Sequence, residues 1–183
     1  MKKLLTFLTV AAIAATTQAA TVGWSIGKTD AAYKGDAYQL FVIGQKGVPT
    51  TDSIKFITDK LDAGTDVSSY AFGDGTLTSN AGGNTVKPGD SGKSLGEGTY
   101  TAFFVVYDSA TPTAGTSKYI VLNNVESATV ASTTASFSFQ GKDQSTAVAN
   151  ANNWKSFGPV PEPTTVALLA LGLAAVGLKR KVA

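Results

Sequence analysis

The sequence contains neither cysteine nor histidine. Without cysteine the chain has no thiolate nucleophile, no disulfide and no Cys-ligated zinc or iron–sulfur site. Without histidine it has no imidazole base, no Ser-His-Asp triad and no His-ligated metal. The chemistry left open is a carboxylate pair for glycoside hydrolysis, Ser-Lys catalysis, or a calcium site made of oxygen ligands. We therefore expect a protein that is not an enzyme and that needs no cofactor.

Charged residues are also few, at 15% of the chain, and they are unevenly placed. Lys2, Lys3 and the cluster Lys179, Arg180 and Lys181 hold five of the 15 basic residues, so residues 20–160 keep ten basic residues against twelve acidic ones. The net positive charge of the chain therefore comes from its two ends. Because the middle carries no basic patch that could bind a phosphate backbone, we expect no nucleic-acid partner.

The N-terminal stretch MKKLLTFLTVAAIAATTQAA has the pattern of a secretory signal. Lys2 and Lys3 precede an apolar run from Leu4 to Ala15, and the small residues Thr17, Ala19 and Ala20 follow. The apolar run is too short to cross a bilayer comfortably. We predict a removed signal peptide over residues 1–19 and an exported mature chain.

The middle of the chain, residues 20–158, is long enough for one domain and is dominated by period-two patterns. Alternating or continuously apolar runs predict several strands, of which the run ending at Tyr107 is the most apolar and is expected at the centre of a sheet. The runs are Val22 to Ile26, Ala37 to Ile43, Tyr100 to Tyr107, Tyr119 to Leu122 and Ala135 to Phe139, the last with Ala135, Phe137 and Phe139 facing inward.

One segment has helical spacing instead. Apolar residues at spacings of three and four predict a helix from Ser53 to Asp62, with Thr51 or Asp52 as its cap and Gly64 as its stop. A weaker helical turn is predicted over residues 144–151.

The segment from Phe72 to Gly98 is rich in turn residues, with short strands possible around residues 76–78 and 85–86. Together these patterns predict a mainly β fold: an antiparallel β-sandwich or jelly-roll-like domain with one short α-helix.

Several residues could form sites, and each has an ordinary alternative. Asp74 and Asp90, among glycines, could bind calcium, but turn aspartates exposed to solvent are the simpler interpretation. Trp24 and Trp154 could stack on a sugar, but aromatic residues of a β domain mostly pack in its core. The carboxylate pairs that could act as a glycosidase dyad are Asp36 with Asp108 and Glu97 with Glu126, although scattered surface carboxylates are the ordinary explanation.

The C-terminal stretch VPEPTTVALLALGLAAVGLKRKVA combines three features. Pro161, Glu162 and Pro163 keep the chain extended, because proline cannot donate a backbone hydrogen bond. The uncharged segment from Thr164 to Leu178 has fifteen residues, about 22 Å as a helix at about 1.5 Å per residue. Lys179, Arg180 and Lys181 then favour a cytoplasmic end. The pattern predicts a short transmembrane helix that holds the exported body outside.

These three features together resemble the PEP-CTERM sorting signal of Gram-negative envelope proteins. The resemblance covers residues 159–183 and implies recognition of Pro161, Glu162 and Pro163 by an exosortase, a membrane protease-transferase. It also implies anchoring in the inner membrane during transit, removal of the tail, and delivery of the body to the envelope, the surface or an exopolysaccharide matrix.

The sequence thus predicts an exported envelope or matrix protein with a structural or adhesive role. Two alternatives stay open: a carbohydrate-binding module for exopolysaccharide, and a surface protein that keeps its membrane anchor without processing. Exposed aromatic rings would favour the module, whereas a surface rich in serine and threonine would favour a structural role.

Overall fold

The structure, a computed structural model, describes residues 19–28, 31–78, 84–87 and 93–159. Nearly all of the predicted signal peptide lies outside the described residues. The same holds for Asp90, for Pro161, Glu162 and Pro163, for the predicted membrane segment Thr164 to Leu178, and for Lys179, Arg180 and Lys181. The described ranges cover most of the body, residues 20–158, together with Pro159.

The described chain is mainly β, as the sequence predicts. The helices are α1 (Ser53–Asp62) and α2 (Ser145–Ala149), with 3₁₀ turns at Ala31–Tyr33, Ser68–Tyr70 and Ala151–Asn153. The strands are β1 (Ala20–Lys28), β2 (Ala37–Val42), β3 (Gly73–Thr76), β4 (Asn84–Lys87), β5 (Ser94–Leu95), β6 (Gly98–Tyr100), β7 (Ala102–Tyr107), β8 (Lys118–Leu122), β9 (Ala128–Val130), β10 (Ser136–Gln140) and β11 (Lys155–Ser156).

The strands form three sheets. The largest is antiparallel, with the order β11-β8-β7-β2-β3. In the second sheet β1 pairs with β4 and β5 in antiparallel fashion, and β6 pairs with β9 in the third. The one departure from the antiparallel prediction among these pairs is β1 with β10, which run parallel from Thr21↔Ser136 to Ser25↔Gln140.

The five-stranded sheet separates two hydrophobic cores. On one face, Leu40 and Phe104 pack with Val22, Trp24 and Ile26 of β1. On the other face, Phe41, Phe103 and the helix residues Ile57 and Leu61 form the second core. Successive side chains of a strand point to opposite faces, so β2 and β7 contribute to both. The prediction that β7 is central and covered on both sides is confirmed, since all six of its residues are buried.

Helix α1 has the predicted bounds but only one of the predicted end signals. Gly64, at φ +73°, donates its N–H to Leu61 O at 2.9 Å, and Thr65 donates to Lys60 O at 2.8 Å. This pair of bonds is a Schellman end, so the predicted stop is confirmed. The predicted cap is wrong: Asp52 has φ 52° and its side chain makes no capping bond. A left-handed residue holds its carboxylate away from the first-turn N–H groups, whereas a cap usually has an extended backbone.

Three further predictions need correction. Ala135 is exposed rather than inward, because β10 begins only at Ser136. The predicted strand at residues 76–78 lies instead at Gly73–Thr76, where the bare Cα of Gly73 lets the Trp24 ring approach. The helical turn predicted over residues 144–151 is split at Asn150 into α2 and a 3₁₀ turn, since Asn150 has an extended backbone.

Candidate functional site: the sorting junction

The C-terminal end of the body is part of the largest sheet. Strand β11 pairs with the edge of β8 through Lys155↔Tyr119 and Ser156↔Lys118. Beyond β11, Phe157 N–H donates to Ser117 O at 2.8 Å, and Gly115 N–H donates to Phe157 O at 2.6 Å. The chain therefore remains hydrogen-bonded to β8 and to the segment that precedes β8 until the last residues of the body.

Two contacts bury this end. The Phe157 ring is 7% exposed and meets the Tyr107 ring edge to face at 5.8 Å. Gly158 N–H donates at 2.8 Å to Leu61 O, a carbonyl in the last turn of α1 that also accepts from Gly64 N–H. Gly158 has φ +80°, and a Cβ there would lie 3.0 Å from Gly64 Cα. Glycine is required because two backbones cross at this point.

A buried tyrosine ties the same end of α1 to β8. Tyr119 Oη donates to Asp62 Oδ1 at 2.5 Å, and the Tyr119 side chain lies in the second core. Burial, then the hydrogen bond to the Asp62 carboxylate, raises the pKa of Tyr119 far above its ordinary value. The helix end, β8 and the Phe157–Gly158 segment thus form one packed unit, and the exposed Pro159 leaves from it.

The two tryptophans proposed as sugar-stacking residues are engaged within the protein. Trp24 is 3% exposed and its Nε1–H donates to Tyr38 Oη at 2.8 Å. Trp154 is half-buried, stacks on Tyr33 at 4.9 Å between ring centroids, and donates from Nε1 to Val148 O at 2.8 Å. The structure leaves no face of Trp24 for a ligand, because β1 points it into the core.

The acidic residues considered at the sequence level are dispersed. Asp74 is exposed on β3, and among the residues that the structure describes no group of three acidic side chains could hold a metal ion. Glu126 faces Lys142 at 3.9 Å, and Glu97 is exposed. In the pair Asp36 and Asp108, the Asp108 charge acts on Asp36. Burial, and secondarily the Asp108 charge, raise the pKa of Asp36 above its ordinary value.

Two surface cavities, which sequence reasoning missed, lie on the α1 side of the largest sheet. The α1 groove, about 780 Å³, is lined by Ile54 of α1, Val121 of β8 and Asn152 of the last 3₁₀ turn, among others. The β3 cleft, about 350 Å³, is lined by Asp66, Asp74, Gln39, Pro112 and Phe157, among others. Each combines residues far apart in sequence, so no local pattern signals it.

Comparison with known families identifies the segment beyond the junction. The PEP-CTERM protein-sorting motif matches residues 159–181, starting at the residue that leaves the packed unit. The chain carries a PEP-CTERM sorting motif. The predicted resemblance is confirmed, and the PEP-CTERM match includes Pro161, Glu162 and Pro163, the apolar segment and the basic cluster.

The PEP-CTERM motif fixes the coarse function. It implies export, passage through the membrane before placement at the surface, and an exosortase as the processing partner. No helix within the described ranges is long and apolar enough to cross a membrane. No curated protein and no solved structure matches the chain, so the motif alone carries this assignment.

Proposed function

We propose that the protein is an exported structural or adhesive component of the cell envelope or an extracellular matrix, released from its PEP-CTERM tail by an exosortase. In this proposal the body is not an enzyme and needs no cofactor. The tail serves delivery, and the body works after the tail is removed.

The exposed surface carries this proposal. In the described part of the chain no aromatic side chain is exposed, whereas exposed serine and threonine occur on every sheet and most loops. Such a surface offers hydroxyl groups and backbone for many weak contacts, and the aromatic rings that reach it are at most half-exposed. The exposed residues of this kind include Thr21, Thr50, Thr65, Ser68, Thr76, Ser94, Thr99, Thr113, Thr116, Thr129, Thr133 and Ser156.

The proposed removal of the tail by an exosortase is tested by the intact mass of the protein recovered from its native host. Wild type should lack the residues that follow the Pro-Glu-Pro region. The triple variant Pro161→Ala, Glu162→Ala, Pro163→Ala should keep its full C-terminus and stay in the membrane fraction, because it has lost the extended recognition segment. The double variant Thr164→Ala, Thr165→Ala is the matched control and should be processed normally. If wild type keeps Lys179 to Ala183, the tail is a permanent anchor and the exosortase proposal fails.

A carbohydrate-binding module is the second candidate, and the β3 cleft is the observation that favours it. Asp74 and Asp66 place carboxylates beside the Gln39 amide, whose Oε1 accepts a hydrogen bond from Tyr107 Oη at 2.9 Å. Carboxylate and amide groups around a small cavity are suited to sugar hydroxyls.

This second candidate predicts slowed migration of the mature protein in affinity electrophoresis through gels containing the host exopolysaccharide. Asp74→Asn should restore free migration, while Glu97→Gln, which removes an exposed carboxylate elsewhere, should not. Equal migration of wild type in gels with and without polysaccharide would leave the structural role as the better proposal.

A further inference from the structure

The distance between the body and the Pro-Glu-Pro segment is short and constrained. Pro159 leaves directly from Gly158, which is fixed by its hydrogen bond to Leu61 O at 2.8 Å. Only Val160 separates Pro159 from Pro161. Since an extended chain spans at most about 3.5 Å per residue, Glu162 can lie no more than about 10 Å from Pro159. The enzyme that binds Glu162 must therefore come equally close to the body.

The surface around this exit point is formed by two loops. Gly158 lies against both: a Cβ placed on it would be 3.0 Å from Gly64 Cα, 3.2 Å from Ala114 Cβ and 3.3 Å from Gly115 N. We name residues 63–65 and 113–116 the junction rim. Its Ala, Gly and Thr side chains are small and uncharged. All but the two glycines are exposed.

The junction cannot lengthen without loss of structure. Freeing Phe157 and Gly158 would break three backbone hydrogen bonds, to Ser117, Leu61 and from Gly115, and would expose the Phe157 ring. The burial of the ring and each of these hydrogen bonds stabilise the fold, so the folded state opposes their loss. The motif is therefore presented from a folded and fixed edge of the body.

We propose that the junction rim is the contact surface for the membrane-embedded processing enzyme, which docks against it while it holds the Pro-Glu-Pro segment. The continuity of the rim with the matched motif, which begins at Pro159, identifies the partner. The small, uncharged side chains admit close approach of another protein without leaving a buried charge unpaired. This inference rests on the proposed processing by an exosortase and adds the surface of the body that the enzyme contacts.

The test introduces arginine on the rim of the full chain and follows removal of the tail by pulse-chase in the native host. Ala114→Arg and Thr116→Arg, both at exposed positions, should each slow processing by about tenfold, because a charged side chain would be desolvated at the contact. Ser132→Arg, on the turn between β9 and β10, is the matched control and should be processed at the wild-type rate. Thermal unfolding of each purified variant establishes that it is folded.

A spacer separates contact from any other effect of the arginines. Insertion of about six Gly and Ser residues between Pro159 and Val160 adds roughly 20 Å of reach, so the enzyme need no longer touch the rim. Among chains that carry the spacer, both arginine variants should be processed at the same rate as the chain with the spacer alone. Wild-type rates for the arginine variants without the spacer, or an arginine effect that persists with the spacer, would overturn the rim proposal. Normal processing of the Pro161, Glu162, Pro163 triple variant would instead overturn the proposed function itself.

Discussion

Replacement of Gly141 by alanine is expected to destabilise the body by about 3 kcal/mol, the upper end of the range for a steric insertion into a packed site. Gly141 follows β10 and donates its N–H to Ser25 O of β1 at 2.8 Å. A Cβ on Gly141 would lie 2.6 Å from Ile26 C, 2.9 Å from Ser25 O and still closer to Ile26 O. These are backbone atoms, so no side-chain rotation relieves the clash, and β1 and β10 would have to separate.

The free energy of unfolding in urea measures this effect. Gly96→Ala is the matched control, because a Cβ on Gly96 has no heavy atom within 4 Å. We expect it to change the free energy of unfolding by less than about 0.5 kcal/mol. If Gly141→Ala were as stable as Gly96→Ala, the close parallel pairing of β1 with β10 would be wrong.

Local sequence patterns were sufficient to predict where most strands and helices lie. They were not sufficient to predict which strands pair. The alternation of Val22, Trp24 and Ile26 predicted a half-buried strand, and all three side chains are buried. The same alternation cannot say that β1 runs parallel to β10, because a strand shows the same period in either kind of pair. That pairing depends on the meeting of Gly141 with β1, a contact between residues over 110 positions apart.

The candidate site likewise has one part that the sequence predicts and one part that it does not. The motif at residues 159–181 could be predicted from the sequence because its three features are contiguous. The rigid junction could not, since it depends on Phe157 meeting Tyr107 and on Gly158 meeting Leu61. The sequence alone also could not predict that Trp24 is buried. A tryptophan on an alternating strand suits either a core or a binding face, and only the opposing sheet decides between them.

Above about pH 10 the body is expected to lose stability steeply as the pH rises. Burial, more than any other factor, raises the pKa of three tyrosines: Tyr38 to about 12, and Tyr107 and Tyr119 further. The Asp74 charge adds to this for Tyr38 and the Asp66 charge for Tyr107, while the Trp24 hydrogen bond partly opposes it for Tyr38.

The direction of this pH effect is set by proton binding. Between the ordinary tyrosine pKa and the raised values, the folded chain keeps three protons that the unfolded chain has released. Raising the pH therefore favours unfolding, and three such groups give a loss of about 4 kcal/mol per pH unit. The stability that these neutral hydroxyls preserve is fully present below about pH 10.

Urea unfolding at a series of pH values, together with tyrosinate absorbance, measures this slope. Tyr107→Phe keeps the buried ring but removes one titrating group, so its slope above about pH 10 should be smaller than that of wild type by about 1.4 kcal/mol per pH unit. Val105→Ala, a fully buried neighbour on β7, is the matched control: it should lower stability at every pH and leave the slope unchanged. If the free energy of unfolding fell with pH at the same slope in wild type and Tyr107→Phe, the Tyr107 hydroxyl would ionise in the folded body as readily as in the unfolded chain. That result would contradict the packing of the second core against Phe157 and the sorting junction.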